Sequence, residues 1–121
     1  MRVVRGDALE FGQLPGRLSA NPLADADLGE ICIRYARLQA GPRAPHRHPL
    51  SIELTYVVEG TGTHWQDGET ARVGPGDLVV VPVGVAHATI PDDGGEMLLY
   101  CVFPVATLDG NVEELDEPIA L

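Results

Sequence analysis

Residues 41–60 read Gly-Pro-Arg-Ala-Pro-His-Arg-His-Pro-Leu-Ser-Ile-Glu-Leu-Thr-Tyr-Val-Val-Glu-Gly and contain two of the four histidines, His46 and His48. On a β-strand, residues two apart point to the same face, so both imidazoles can converge on one point. Glu53 follows at an odd offset, which requires a turn or bulge before its carboxylate can face the same way. His87 comes later, shortly after a Pro-Val-Gly turn at 82–84 that can aim it inward.

These four side chains form a candidate metal-binding set. Three neutral imidazoles and one carboxylate offer a mixed nitrogen and oxygen environment, which suits iron, manganese, nickel, cobalt or zinc. An ion of octahedral geometry would keep two positions open for substrate or water. The pattern therefore indicates one divalent transition metal as the cofactor.

Most of the chain is predicted to form short β-strands separated by turns. Fourteen Gly and ten Pro punctuate its apolar runs, which is typical of an all-β barrel or sandwich. Four consecutive apolar residues at 78–81 predict a strand buried on both faces. Strands are predicted at 31–40, 53–59, 61–65, 70–73, 78–81, 87–90 and 97–103, with a hairpin turn at Asp67-Gly68.

The spacing of these residues resembles the two motifs of the cupin superfamily. The first motif spans residues 41–60 and the second spans residues 76–87, with 15 residues between them, the short separation of small single-domain cupins. The resemblance implies an all-β fold, the cupin double-stranded β-helix or jelly-roll barrel, with little helix. It also implies four metal ligands: His46, His48, Glu53 and His87.

A chain of this length is expected to form a single cupin domain over residues 1–121, with the barrel at 31–104. Residues 1–30 contain apolar positions that need burial and are expected to form an N-terminal arm or edge strand. Residues 105–121 are expected to form an acidic C-terminal tail. In that tail, Asn111 could cap a short helix, or the segment could remain loose.

Composition excludes several kinds of chemistry and partner. The chain has eight Arg and no Lys, so a catalytic lysine and a P-loop are excluded. The formal net charge is −10, whereas nucleic-acid partners require clustered cations, so no such partner is expected. Residues 1–48 contain seven Arg and five acids, and residues 49–121 contain one Arg and thirteen acids. Any cationic clamp for a substrate is therefore expected from the first part of the chain.

The cysteines and the N-terminal residues give an indication of the cellular compartment. Cys32 and Cys101 each lie in an apolar run, which favours two reduced core thiols. The first residues lack the apolar region of a secretory signal. No run approaches the roughly 18 apolar residues that a membrane span needs. We therefore expect a cytoplasmic protein with no membrane partner.

Side chains near the predicted strand 31–40 are candidates for substrate contact. Alternate positions face opposite sides, so Arg34 and Arg37 lie on different faces and one of them points inward. An inward arginine, or Arg43, would bind a substrate carboxylate bidentately, and a surface ion pair is the alternative. The other candidates are Tyr35 and Tyr100, as hydroxyl donors, and His64, either as a packing or surface residue or as part of the pocket.

Three functions on a small-molecule substrate remain open. The first is a dioxygenase acting on an enol, catechol or diketone, with Glu53 as ligand or proton acceptor. The second is a redox-neutral cyclase, isomerase or lyase that uses the metal as a Lewis acid. The third is a non-catalytic protein that binds a metal or small ligand. Small cupins commonly pair, and edge strands need cover, so a homodimer of C2 symmetry is expected.

Overall fold

The computed structural model describes residues 1–119; residues 120–121 of the expected acidic tail lie outside the described residues. Within that range no helix is both long and apolar enough to cross a membrane. Regular structure consists of one 3-10 turn, Gly6–Ala8, and eleven strands. The strands are β1 (Gly12–Leu14), β2 (Arg17–Ala20), β3 (Cys32–Gln39), β4 (His46–Arg47), β5 (Glu53–Glu59), β6 (Gly62–Gln66), β7 (Glu69–Val73), β8 (Leu78–Val81), β9 (His87–Pro91), β10 (Glu96–Phe103) and β11 (Glu113–Glu114).

The strands form two antiparallel sheets that pack face to face. The larger sheet has the order β1-β2-β3-β10-β5-β8, and the smaller has the order β11-β4-β9-β6-β7. Strands far apart in sequence are neighbours in both sheets, as in a jelly roll. The all-β jelly-roll barrel predicted from the sequence is confirmed.

Alternation along the long strands builds the core between the sheets. On β5, Glu53, Thr55 and Val57 are buried, whereas Tyr56 is exposed. β3 and β10 pair in continuous register beside it, and β10 alternates from Leu99 to Phe103, whereas Met97, Leu98 and Leu99 are all buried. The two cysteines are buried and free, as predicted. The apolar core contains Cys32, Ala36, Leu38, Val57, Val73, Met97, Leu99, Cys101 and Phe103.

Strand β8 corrects the expectation of a strand buried on both faces. It lies at the edge of the larger sheet and pairs only with β5. Leu78 is 59% exposed and Val80 is 53% exposed, whereas Val81 is buried. The outer face of this sheet points away from the core. A continuous apolar run here therefore marks an edge strand with an apolar outer face.

A close contact between the end of β5 and β10 requires glycine at position 60, the last residue of the first motif. Gly60 has a φ of 83°, which side chains rarely adopt. A Cβ at this position would also overlap the Glu96 carbonyl oxygen and lie 2.9 Å from Met97 Cγ. The turn out of β5 can therefore lie against β10 only when the residue is glycine.

Both ends of the chain are part of the sheets. β2 pairs with β3 through Ser19 opposite Ala36, so the N-terminal segment provides the edge strands β1 and β2. In the acidic segment, β11 pairs with β4 through Glu113 opposite Arg47. Asn111 is fully buried and starts no helix, which corrects the expectation of a capped helix. The segment up to residue 119 is also not loose, since the Ile119 N–H donates to the Arg43 carbonyl.

Candidate metal centre

Four side chains meet between the two sheets: His46, His48, Glu53 and His87, referred to below as the His/Glu cluster. His46 on β4 lies directly opposite His87 on β9, and their rings are 4.4 Å apart. His48 stands just after β4, and Glu53 begins β5 in the opposite sheet. All four are buried, and one ligand atom from each lies within 4.8 Å of the others.

Backbone carbonyls orient two of the rings. His48 Nδ1–H donates to the Asn111 carbonyl at 2.8 Å, and His87 Nδ1–H donates to the Val85 carbonyl at 2.9 Å. A carbonyl oxygen only accepts, so Nδ1 carries the proton and Nε2 presents a lone pair in the neutral ring. Both Nε2 atoms are buried without a hydrogen-bond partner in residues 1–119, as is His46 Nδ1.

The carboxylate of Glu53 faces those two nitrogens. His48 Nε2 lies 3.1 Å from Oε2, and His87 Nε2 lies 3.4 Å from Oε1. Thr55 donates its hydroxyl proton to Oε1 at 2.7 Å. Burial alone would raise the pKa of Glu53, but the contacts with His48 and His87 hold it well below its usual value. Glu53 is therefore ionised at neutral pH.

His46 is neutral at the same pH. Burial, followed by the neighbouring His87, lowers the pKa of His46 well below its usual value. A neutral imidazole and an ionised carboxylate are the forms that bind metal ions. The donor types, their protonation and their unpaired nitrogens fit a transition metal with mixed nitrogen and oxygen ligands.

The His/Glu cluster forms part of the wall of a cavity of about 280 Å³. The rest of the wall is mostly apolar, which is common in sites for small organic ligands. Burial raises the pKa of the lining Cys101 thiol, so it stays protonated. Leu14 and Glu114 are exposed lining residues and mark the mouth. The apolar lining consists of Leu14, Ala36, Leu38, Leu99, Phe103, Leu108 and Val112.

Of the five residues predicted to contact substrate, the structure brings Arg34 and Arg43 to the cavity. Arg37 faces the other way, and its guanidinium lies 5.4 Å from the centre of the Phe11 ring. The rings of Tyr35 and Tyr100 stack at 4.0 Å on the outer face of the larger sheet. These three side chains do not line the cavity, because odd positions of β3 and even positions near the end of β10 point outward.

His64 is a buried packing residue beside the site. Its Nδ1 lies 3.1 Å from Thr89 Oγ1, and its Nε2 lies 3.1 Å from Gln66 Oε1. Both ring nitrogens thus have partners. The side chain does not line the cavity, although its ring is 6.1 Å from that of His87.

Sequence reasoning missed two residues of the site, Arg17 and Asn111. Arg17 is buried, lines the cavity and pairs with Glu114 at 2.9 Å. The Asn111 side chain accepts from the Leu50 N–H at 2.7 Å and donates to Ser51 Oγ at 2.8 Å. Both residues lie outside the motifs, and no local pattern marks either of them.

Asn111→Ala tests whether the Asn111 side-chain amide stabilises the loop that follows His48. The substitution removes the partners of Ser51 Oγ and the Leu50 N–H, so we expect a loss of about 1–3 kcal/mol in the free energy of unfolding. Urea denaturation measures it. Asn21→Ala is the matched control, because the Asn21 side chain is exposed and accepts only from the Leu23 N–H. An equal loss in both variants would contradict the interpretation.

Comparisons with known proteins agree with the fold. The family model for the cupin domain matches residues 34–103. Quercetin 2,3-dioxygenase of Bacillus subtilis (strain 168) is 32% identical over 85 residues, which cover 69% of this chain and 24% of that protein. The match therefore covers about a quarter of the length of that curated relative.

Solved structures of similar shape cover nearly the whole chain. The Streptomyces protein Pac13, described as a nucleoside dehydratase, has a TM-score of 0.76 at 14% identity, covering 95% of this chain and 91% of that one. The polyketide cyclase RemF from Streptomyces resistomycificus has a TM-score of 0.75 at 21% identity, covering 97% and 87%. At these identities the likeness shows a shared fold.

Proposed function

This chain belongs to the cupin family, and from that premise we propose that it is a metal-dependent enzyme acting on a small organic molecule. One observation carries the proposal: the Nε2 atoms of His48 and His87 face the two oxygens of an ionised carboxylate inside the protein. This arrangement favours a positive charge among the three groups, and a bound cation would supply that charge while the rings present their Nε2 lone pairs. A metal ion would satisfy these groups and His46 together.

The proposed cofactor is one divalent transition metal, iron, manganese, nickel or zinc, with His46, His48, Glu53 and His87 as its ligands. Such an ion supplies a Lewis acid and, if it is redox-active, a partner for dioxygen. The carbonyls of Asn111 and Val85 keep two imidazoles in the tautomer that binds metal. Glu53 has an oxygen held by Thr55 and can also accept a substrate proton.

His87→Ala should remove most of the metal, because it deletes one ligand and leaves its place in the cavity open. We expect an affinity at least about tenfold lower, read as metal content per chain after purification and after titration with chelator. His64→Ala is the control, since His64 is buried nearby but does not line the cavity. Unchanged metal content in a folded His87→Ala protein would refute the ligand assignment.

For the reaction we propose a dioxygenase that acts on an enol, catechol or diketone. Two features support this reaction: the similarity to a quercetin 2,3-dioxygenase, and the mostly apolar lining of the cavity beside the His/Glu cluster. The second candidate is a redox-neutral cyclase, isomerase or lyase. Its support is the close match in shape to a polyketide cyclase and to a nucleoside dehydratase.

Oxygen uptake separates these reactions. The iron-loaded chain is expected to consume dioxygen with a flavonol, a catechol or 2,4-pentanedione, and Glu53→Gln is expected to slow that turnover at least about a hundredfold. Conversion that proceeds equally without oxygen would favour the redox-neutral reaction. Full metal loading with no conversion of any enolic substrate would favour a non-catalytic binding protein.

We also propose that two copies pair through the outer face of the larger sheet. Two rows of uncharged side chains cross four strands there, at register positions that pair directly. The whole chain carries a net charge of −10, so a second copy is repelled over much of the surface but meets no like charge on these rows. The rows are Ile33, Val102, Leu54 and Val80, and Tyr35, Tyr100, Tyr56 and Leu78.

Leu78→Glu should convert the dimer to a monomer, because it places a charge in one of these uncharged rows, at its β8 end. Light scattering coupled to size exclusion, at micromolar concentration, measures the mass. Val3→Glu is the matched control, since Val3 is similarly exposed, at 55% against 59%, and lies outside the sheets. A wild-type chain that is monomeric under these conditions would refute the pairing.

A further inference from the structure

Two arginines are buried in the cavity wall, and within residues 1–119 only Arg17 is paired with a carboxylate. Arg17 is 9% exposed and Arg43 is 8% exposed. Arg17 pairs with Glu114 at 2.9 Å, whereas no carboxylate of residues 1–119 lies within ion-pair distance of Arg43. Arg43 donates from Nη1 to the Thr89 carbonyl at 2.6 Å, and its Nε is buried without a partner in the same residues. Most of its hydrogen-bonding capacity is therefore unused.

Arg43 carries its charge at neutral pH. Burial, followed by repulsion from Arg17, lowers the pKa of Arg43 to about 10, which is still well above neutrality. Glu114 pairs with Arg17, and Glu53 contacts His48 and His87, so no carboxylate of residues 1–119 contacts the Arg43 guanidinium directly. A buried ion is costly unless it is paired and hydrogen-bonded, so this part of the wall favours an incoming anion.

The position of Arg43 is supported by its surroundings. Gly16, in the turn between β1 and β2, has a φ of 71°, and a Cβ there would lie 3.0 Å from both Cγ and Nε of Arg43. The turn thus packs directly on the arginine side chain. Arg17, Arg43 and the partly exposed Arg34 line the same cavity as the His/Glu cluster. A ligand inside the cavity can therefore meet the arginines and the cluster at once.

We propose that the Arg17–Arg43 pair is a binding subsite for the carboxylate of an organic acid. A guanidinium binds a carboxylate through two parallel hydrogen bonds, and the one guanidinium without a carboxylate in contact matches a monoanion better than a phosphate dianion. The partly exposed Arg34 also lines the cavity and adds attraction for an anion that enters. The identification of this acid as the substrate rests on the proposed function. Binding of a carboxylate requires only the two arginines.

Calorimetric titration of the full chain with acetate and benzoate tests the subsite, both in the metal-loaded protein and after chelation. Acetamide and benzamide serve as neutral analogues of the same shape. We expect each carboxylate to bind at least about tenfold more tightly than its amide in the chelated protein, because only the carboxylate forms charge-assisted hydrogen bonds.

Arg43→Gln and Arg17→Gln should each weaken benzoate binding at least about tenfold. Arg37→Gln is the matched control and should bind benzoate like the wild type, because Arg37 lies outside the cavity against Phe11. Circular dichroism checks that each variant is folded. Arg43→Lys serves as a second variant: it keeps the charge, loses the planar fork and should bind benzoate with intermediate affinity.

Three outcomes would overturn the proposal: amides that bind as tightly as carboxylates, equal losses in Arg37→Gln and Arg43→Gln, or no carboxylate binding by the folded wild type. Metal content is measured alongside to separate the two proposals. Arg43→Gln should keep its metal, and His87→Ala should keep benzoate binding. If the metal-ligand assignment is refuted, benzoate binding still tests the arginine subsite independently.

Discussion

The ionised carboxylate of Glu53 lies between two sheets whose facing surfaces are largely apolar, and the surrounding groups compensate its charge. An unpaired carboxylate in such surroundings would be very costly. Thr55 binds one of its oxygens, and the rings of His48 and His87 face both. Those rings are oriented in turn by backbone carbonyls at 85 and 111. The site is therefore a continuous polar network that reaches both sheets and the acidic segment near the end of the chain.

Local rules predicted the features of the site that depend on neighbours in sequence. Strand alternation placed Arg34 and Arg37 on opposite faces of β3, and the structure has Arg34 in the cavity and Arg37 outside it. The spacing of the two motifs likewise singled out the four residues that meet in the His/Glu cluster. The first pattern can be read from sequence because side chains at alternate positions of a strand point to opposite faces. The second rests on the resemblance of the two motifs to a known family.

Features that depend on distant partners were not predictable in this way. The apolar run at 78–81 gives no sign that β8 is an edge strand, because that depends on which strand pairs with β5. Arg17 meets Glu114, which lies 97 positions away, and Asn111 meets the His48 ring across 63 positions. The overall composition also gives no indication of which charges line the cavity. A chain with a net charge of −10 places two buried arginines beside its only buried carboxylate among the described residues.

The pairing of β11 with β4 has a consequence for any shortening of the chain at this end. The His48 ring receives its orienting carbonyl from Asn111, and Glu114, the partner of Arg17, lies on β11. Both follow β10, the last long strand, by several residues. A chain truncated before residue 111 would therefore keep every long strand and all four residues of the His/Glu cluster, but it would lose the carbonyl that orients the His48 ring and the carboxylate that pairs with Arg17. The short segment after β10 is thus part of the site rather than a removable end.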